Sequence, residues 1–275
     1  MENLGVSEVV ASAVNLGVAA VVASVVNPRK DLARVNLAIA PGDRKACSHD
    51  ARLIHMTTVA WSKPEAQRSG TPLLLMLHGY GTDESRMSAH FDALPESFTC
   101  AALRAPKDIS GDYGWFLLDY FLNNDFADVI TAASGVSAWL AGEQAKFNFS
   151  SVSLLGYSQG MAMATTLLRL RPNAYTAVVG LSGFVLDNAL LAAMEPLAVR
   201  VPFYWARDAA DLMINPEAVR FTGGWLRQNT ELTSALYRGM GHGIRADELA
   251  DVSSFLTVHV PGAFKPSAPR AQSND

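Results

Sequence analysis

The chain has 275 residues, 49% of them hydrophobic and 17% charged, a make-up that fills one large core and excludes an intrinsically disordered protein. Its formal net charge is -4 and it has no Lys/Arg-rich tract, so no nucleic-acid partner is expected, because that would require a basic face to neutralise phosphates. The two cysteines, Cys47 and Cys100, form neither a CxxC pair nor a disulfide framework, which suits a reducing, cytoplasmic setting.

Residues 9–26 carry no charge and are followed by Arg29 and Lys30, a run just long enough to raise the question of a membrane span. Its Ala, Val, Ser, Asn and Gly content lacks the Leu/Ile/Phe density that drives insertion. Glu2 and Glu8 stand where a secretory leader carries positive charge, so neither export nor a membrane anchor is expected. Every motif with chemical content lies after Met56. Residues 1–55 therefore read as an N-terminal extension, dispensable or translated from a misplaced start. One domain is expected over 56–262, and the Pro/Ser/Ala-rich 263–275 reads as a frayed tail.

From residue 72 onward, short apolar runs alternate with helical periodicity. That pattern predicts an α/β fold with a mostly parallel central sheet flanked by helices. Residues 72–78 form a buried-strand candidate ending in Gly79 and Gly81, and 98–105 form another, closed by Pro106. Residues 106–124 read as an irregular loop over a site, with Tyr113, Trp115, Phe116, Tyr120 and Phe121 among two glycines. Asp125 is the expected cap of a helix whose apolar stripe is Phe126, Val129, Ile130, Ala133, Val136 and Leu140. A strand over 152–155 runs into Gly156-Tyr157-Ser158-Gln159-Gly160, and an apolar helix over 161–170 stops at Pro172. Strands follow over 175–181 and 199–205, then a helix over 216–228 and a strand over 232–237. Asp247 opens a last helix that turns Leu249, Val252, Phe255 and Leu256 inward.

The pentapeptide 156–160 fits G-x-S-x-G, the pattern of a sharp strand-to-helix turn that lifts a serine clear of a sheet. Glycines two residues either side let strand and helix pack closely, and the amide after the serine opens a helix facing developing negative charge. Such a serine needs a base and the base an orienter. Of six histidines, His242 sits in Gly239-Met240-Gly241-His242-Gly243, between a strand and the last helix, and completes the chain order Ser…Asp…His. Two carboxylates follow the strand at 199–205. Asp211 is favoured to accept the Nδ1 proton of His242, and Asp208 is the alternative. The backbone N–H groups of Tyr80 and Gln159 are the expected oxyanion donors, with His78 a structural hydrogen-bonder at its strand end.

The segments LHGYGTDE (77–84), Trp115-Phe116, GYSQG (156–160), LSGFV (181–185), DLMINPEAV (211–219) and GMGHGI (239–244) together resemble the phospholipase/carboxylesterase family of α/β-hydrolases, which includes acyl-protein thioesterases and small bacterial carboxylesterases. The resemblance implies an α/β-hydrolase fold with minimal or no cap domain and a small-molecule ester or acyl substrate. It implies catalysis by Ser158, Asp211 and His242, an oxyanion hole from Tyr80 and Gln159, substrate binding by Trp115 and Phe116, and no metal or cofactor. Three positions depart from the family pattern. Met161 stands where relatives carry glycine, which would crowd the helix start and trim the pocket. Arg207-Asp208 replace a common His-Gly, which keeps Asp208 open as the acid, and residues 1–55 have no counterpart in compact relatives. The rival reading is a non-catalytic α/β-hydrolase-fold ligand-binding module, which would be expected to lose such residues. Nothing in the sequence indicates an oligomeric state.

Overall fold

The computed structural model describes residues 58–118 and 126–262. The expected N-terminal extension, the tail over 263–275, Tyr120, Phe121 and Asp125 lie outside the described residues.

In chain order the elements are β1 (Val59–Trp61), β2 (Pro72–Leu77), α1 (Glu84–Ser88), β3 (Thr99–Leu103), β4 (Lys107–Ile109) and β5 (Asp112–Gly114). They continue with α2 (Ala127–Phe147), β6 (Ser151–Tyr157), α3 (Gln159–Leu170), β7 (Val178–Leu181) and α4 (Ala189–Ala192). The last four are β8 (Pro202–Arg207), α5 (Pro216–Asn229), β9 (Glu231–Leu236) and α6 (Ala246–His259). Seven strands make one sheet in the order β1-β3-β2-β6-β7-β8-β9. Only β1 is antiparallel to its neighbour; the other pairs are parallel, which is the sheet of an α/β-hydrolase fold.

The buried strands show why the apolar runs are continuous rather than alternating. Every residue of β2, β3 and β7 is buried, as expected where helices cover both faces of a parallel sheet. One cluster, including Leu74, Met76, Val179, Tyr204, Leu249, Val252 and Leu256, packs α6 against one face. Helix α3 is buried along its whole length, which explains its predominantly apolar sequence. Its Arg169 is buried against a 3.0 Å ion pair with Glu195 and lies over the Trp225 ring. Asn215 caps α5 by accepting from Ala218 N–H at 2.7 Å, and Pro216 starts the helix without losing a bond.

Register places the ends of the central strands level. Leu77 pairs with Gly156, Tyr157 with Leu181, Leu181 with Ala206, and Arg207 with Leu236. The loops after β2, β6, β8 and β9 therefore emerge along one carboxyl edge, where open α/β sheets place their ligands.

Residues 106–124, expected to be irregular, contain the hairpin β4–β5. Its turn holds Ser110 at φ 56 and Gly111 at φ 101, with Gly111 N–H donating to Asp108 Oδ1 at 3.0 Å. Strands of three residues with polar content are too short to show a period of two, so the pattern gave no sign of them. The same brevity hid β1. Helix α2 begins at Ala127 beside Phe126, which makes no side-chain cap bond. Among the described residues no helix is long and apolar enough to cross a membrane.

Candidate active site

Strand β6 delivers Ser158 into a backbone conformation, φ 52 and ψ -117, that a residue with a side chain rarely adopts. Hydrogen bonds on both sides hold it there. Ser158 N–H donates to Leu181 O at 2.9 Å, and Met161 N–H donates to Ser158 O at 3.0 Å. A Cβ at Gly156 would lie 2.3 Å from Gly160 O, and one at Gly160 would lie 2.0 Å from Leu77 O. Strand and helix approach too closely there for any residue but glycine.

Two distant loops meet this turn. His242 Nε2 lies 2.9 Å from Ser158 Oγ, and its Nδ1 lies 2.9 Å from Asp211 Oδ2. The Asp211 side chain is fully buried and its other oxygen accepts from Met213 N–H at 2.8 Å, while the imidazole is 18% exposed. With Asp211 ionised, Nδ1 donates to the carboxylate and Nε2 presents its lone pair to the serine hydroxyl.

Asp208 is occupied differently. Its oxygens accept from Ala210 N–H at 2.9 Å and Gly241 N–H at 2.8 Å. Those backbone bonds hold its carboxyl below the usual carboxylate range. The two candidate acids thus divide: Asp211 meets the imidazole, and Asp208 meets the backbone of the loop that carries it. Two further contacts hold that loop. Tyr157 donates its hydroxyl to His242 O at 2.9 Å, and Ser182 Oγ donates to Gly243 O at 3.2 Å.

The segment after β2 lies against the Ser158 turn. A Cβ at Gly79 would sit 3.3 Å from Ser158 Cβ. His78 is fully buried, and its Nε2 accepts from Ala105 N–H at 3.0 Å, so Nδ1 carries the proton and donates to Gly79 O at 2.7 Å. Burial lowers its pKa and keeps the ring neutral. The hairpin docks on this segment through Gly81 N–H to Tyr113 O at 2.9 Å and Tyr113 N–H to Thr82 O at 3.0 Å. Gly79, the neighbour of Tyr80, therefore lies beside the Ser158 turn, and Gln159 follows Ser158 as the first residue of α3.

One role went unread in the sequence. The buried Gln159 side chain accepts from Trp115 N–H at 2.9 Å and donates to Phe116 O at 2.7 Å, pinning the site loop to the first turn of α3. A polar residue at the head of a mostly apolar helix is the sequence sign of it. Trp115 and Phe116, expected along the substrate wall, are both 0% exposed, and Trp115 Nε1 donates to His78 O at 2.8 Å. In this conformation they support the site from behind and offer a ligand no surface. The exposed apolar side chains next to them in the chain are Leu117 and Leu118, and beside Asp211 they are Leu212 and Met213. Met161 is buried between the backbones of Gly180 and Gly183, whose missing side chains make its room, so it packs on β7 rather than into the site. Among the described residues no group of three or more His, Cys, Asp or Glu could hold a metal ion.

The sequence matches the family model described as Phospholipase/Carboxylesterase over residues 63–260. The chain belongs to that family. No curated protein sequence matches it. Among solved structures it is similar to a carboxylesterase from Mesorhizobium loti, with 20% identity and a TM-score of 0.60 over 70% of this chain and 91% of that one. A Bacillus cereus carboxylesterase gives 20% identity and a TM-score of 0.60 over 76% and 95% of the two chains. A phospholipase/carboxylesterase from Dyadobacter fermentans gives 17% and 0.61 over 73% and 96%. At these identities the structural likeness is one of fold. As a phospholipase/carboxylesterase-family member, the protein is an esterase-type hydrolase.

Proposed function

We propose that this family member is a serine hydrolase that cleaves carboxylic esters or thioesters through an acyl-enzyme on Ser158. The observation that carries the reading is the continuous chain from the Ser158 hydroxyl through His242 to the buried Asp211 carboxylate, each link 2.9 Å. As Ser158 Oγ attacks the carbonyl carbon, its proton passes to His242 Nε2, and Asp211 stabilises the imidazolium. The oxyanion is held by the N–H groups of Tyr80 and Gln159. Collapse of the tetrahedral intermediate sends the Nε2 proton to the leaving alcohol or thiol. Water then gives a proton to Nε2 as its oxygen attacks the acyl carbon, and collapse of the second tetrahedral intermediate returns that proton to Ser158 Oγ as the carboxylic acid leaves.

An apolar acyl or aryl group is the proposed specificity. What supports it is that Leu117, Leu118, Leu212 and Met213 are exposed on the segments that lead from the site loop and from Asp211, which leaves apolar side chains next in the chain to Trp115-Phe116 and to Asp211. The proposed substrate is a small molecule, and Trp115 and Phe116 back the acyl site. Ser158→Ala should lower p-nitrophenyl ester turnover by on the order of a millionfold. Turnover within tenfold of the wild type would end the proposal.

A further inference from the structure

The Tyr157 hydroxyl closes a ring that the proposed mechanism does not use. Tyr157 precedes Ser158 in the chain, and its phenol donates to the backbone carbonyl of His242 at 2.9 Å. The imidazole on that same residue returns to Ser158 Oγ at 2.9 Å. Nucleophile, phenol, base carbonyl and base ring therefore form one loop of bonds, with the serine's own strand setting its dimensions. The Tyr157 ring is 6% exposed, lies 5.4 Å from the imidazole centroid, and is 3.1 Å from where a Cβ at Gly79 would stand. It is wedged between the segment carrying the expected oxyanion donor and the base.

The base loop needs such a tie. Gly239 and Gly241 sit at φ 74 and φ 63, so the loop rests on residues that lose most conformational freedom on ordering. Asp208 holds it at Gly241 N–H, one residue before the histidine, and Ser182 holds it at Gly243 O, one residue after, at a longer 3.2 Å. Tyr157 alone among these grips the residue that carries the imidazole. Burial raises the pKa of the phenol, which keeps it a donor across the working pH range.

We infer that Tyr157 is a positioning residue for ester cleavage, its hydroxyl fixing the distance between the Ser158 hydroxyl and the His242 imidazole by tethering the base's backbone to the nucleophile's strand. Tyr157 has this role only if Ser158 and His242 act as nucleophile and base, as proposed.

Tyr157→Phe isolates the hydroxyl, because the ring and its wedge remain. Steady-state turnover of p-nitrophenyl acetate by the full chain should show kcat lowered about 3- to 10-fold with KM within about twofold, the size of one hydrogen bond's net effect. Hydrogen exchange read by mass spectrometry should show faster exchange in peptides covering 239–243. Tyr204→Phe, which removes a phenol paired with Tyr237 at 2.7 Å and not bonded to the site residues, is the control and should leave kcat unchanged. Wild-type kcat in Tyr157→Phe, unchanged exchange at 239–243, or an equal loss in Tyr204→Phe would each overturn the tether. Ser158→Ala assayed in parallel separates the two ideas. If it stays active, the nucleophile assignment fails. If it is dead while Tyr157→Phe is unaffected, only the tether fails.

Discussion

Replacing each of the two carboxylates after β8 with its amide separates their roles sharply. Asp211 Oδ1 accepts from Met213 N–H at 2.8 Å, and Oδ2 faces His242 Nδ1 at 2.9 Å. In Asp211→Asn the amide keeps its carbonyl toward Met213 N–H, since an NH2 group there would face another donor. The NH2 then points at Nδ1 and forces the imidazole into the tautomer with the proton on Nε2. That proton faces Ser158 Oγ, and the base is lost although every atom stays nearly in place. The expected fall in kcat is roughly ten-thousandfold, with little change in Tm. In Asp208→Asn both original partners, Ala210 N–H and Gly241 N–H, are donors, so one must be abandoned. The base loop loosens and Tm falls, but the His242 tautomer is untouched, and kcat should drop by no more than about tenfold. Paired kcat and Tm measurements on p-nitrophenyl acetate decide it. A crippled Asp208→Asn beside a nearly normal Asp211→Asn would refute the assignment.

Two other substitutions test different parts of the structure. Glu248, fully buried near the start of α6, has its pKa pushed up by burial to about 7 from an ordinary 4.5, while one oxygen accepts from Arg245 N–H at 3.2 Å. The folded protein therefore binds a proton that the unfolded chain releases between those values, and stability falls as pH rises from 4.5 to 7. Glu248→Gln should match the wild-type Tm near pH 4.5 and exceed it at pH 8; an equal difference at both would contradict the burial penalty. Gln159→Leu removes the side-chain acceptor of the buried Trp115 N–H, at a cost of about 1–3 kcal/mol, together with the bond to Phe116 O. Its Tm should fall and its site loop become more sensitive to proteolysis, and neither change would mean the loop is pinned elsewhere.

What could be read in advance depended on how local each signal is. The turn at Ser158 is specified within five residues, because Gly156 and Gly160 are demanded by contacts made inside the strand–turn–helix unit itself. Strands β2, β3 and β7 were legible as apolar runs because every residue in them is buried beneath helices. The separation of Asp208 from Asp211 was not, because each is defined by a partner more than 30 residues away on the 239–243 loop. Gln159 was expected to contribute only its backbone, since the sequence cannot show that a side chain on α3 meets a loop 44 residues earlier. That loop explains Trp115 as well. An indole in an aromatic-rich segment suggested a wall open to ligand, yet its N–H is claimed by His78 O and its own backbone by Gln159, which draws the ring inward. Met161 illustrates the opposite error. It seemed to crowd the site until Gly180 and Gly183, far along the chain, were seen to make space for it.

If the Ser158 hydroxyl is activated for acyl transfer as proposed, it reacts with a fluorophosphonate probe in the native fold. Incubation of the native protein, followed by intact-mass and peptide mapping, should give one adduct on the peptide containing Ser158, abolished by heat denaturation. Hydrolysis of p-nitrophenyl acetate should be lost in proportion to labelling. An unlabelled Ser158 in a protein that still turns over ester, or labelling elsewhere that alone tracks the loss of activity, would contradict it.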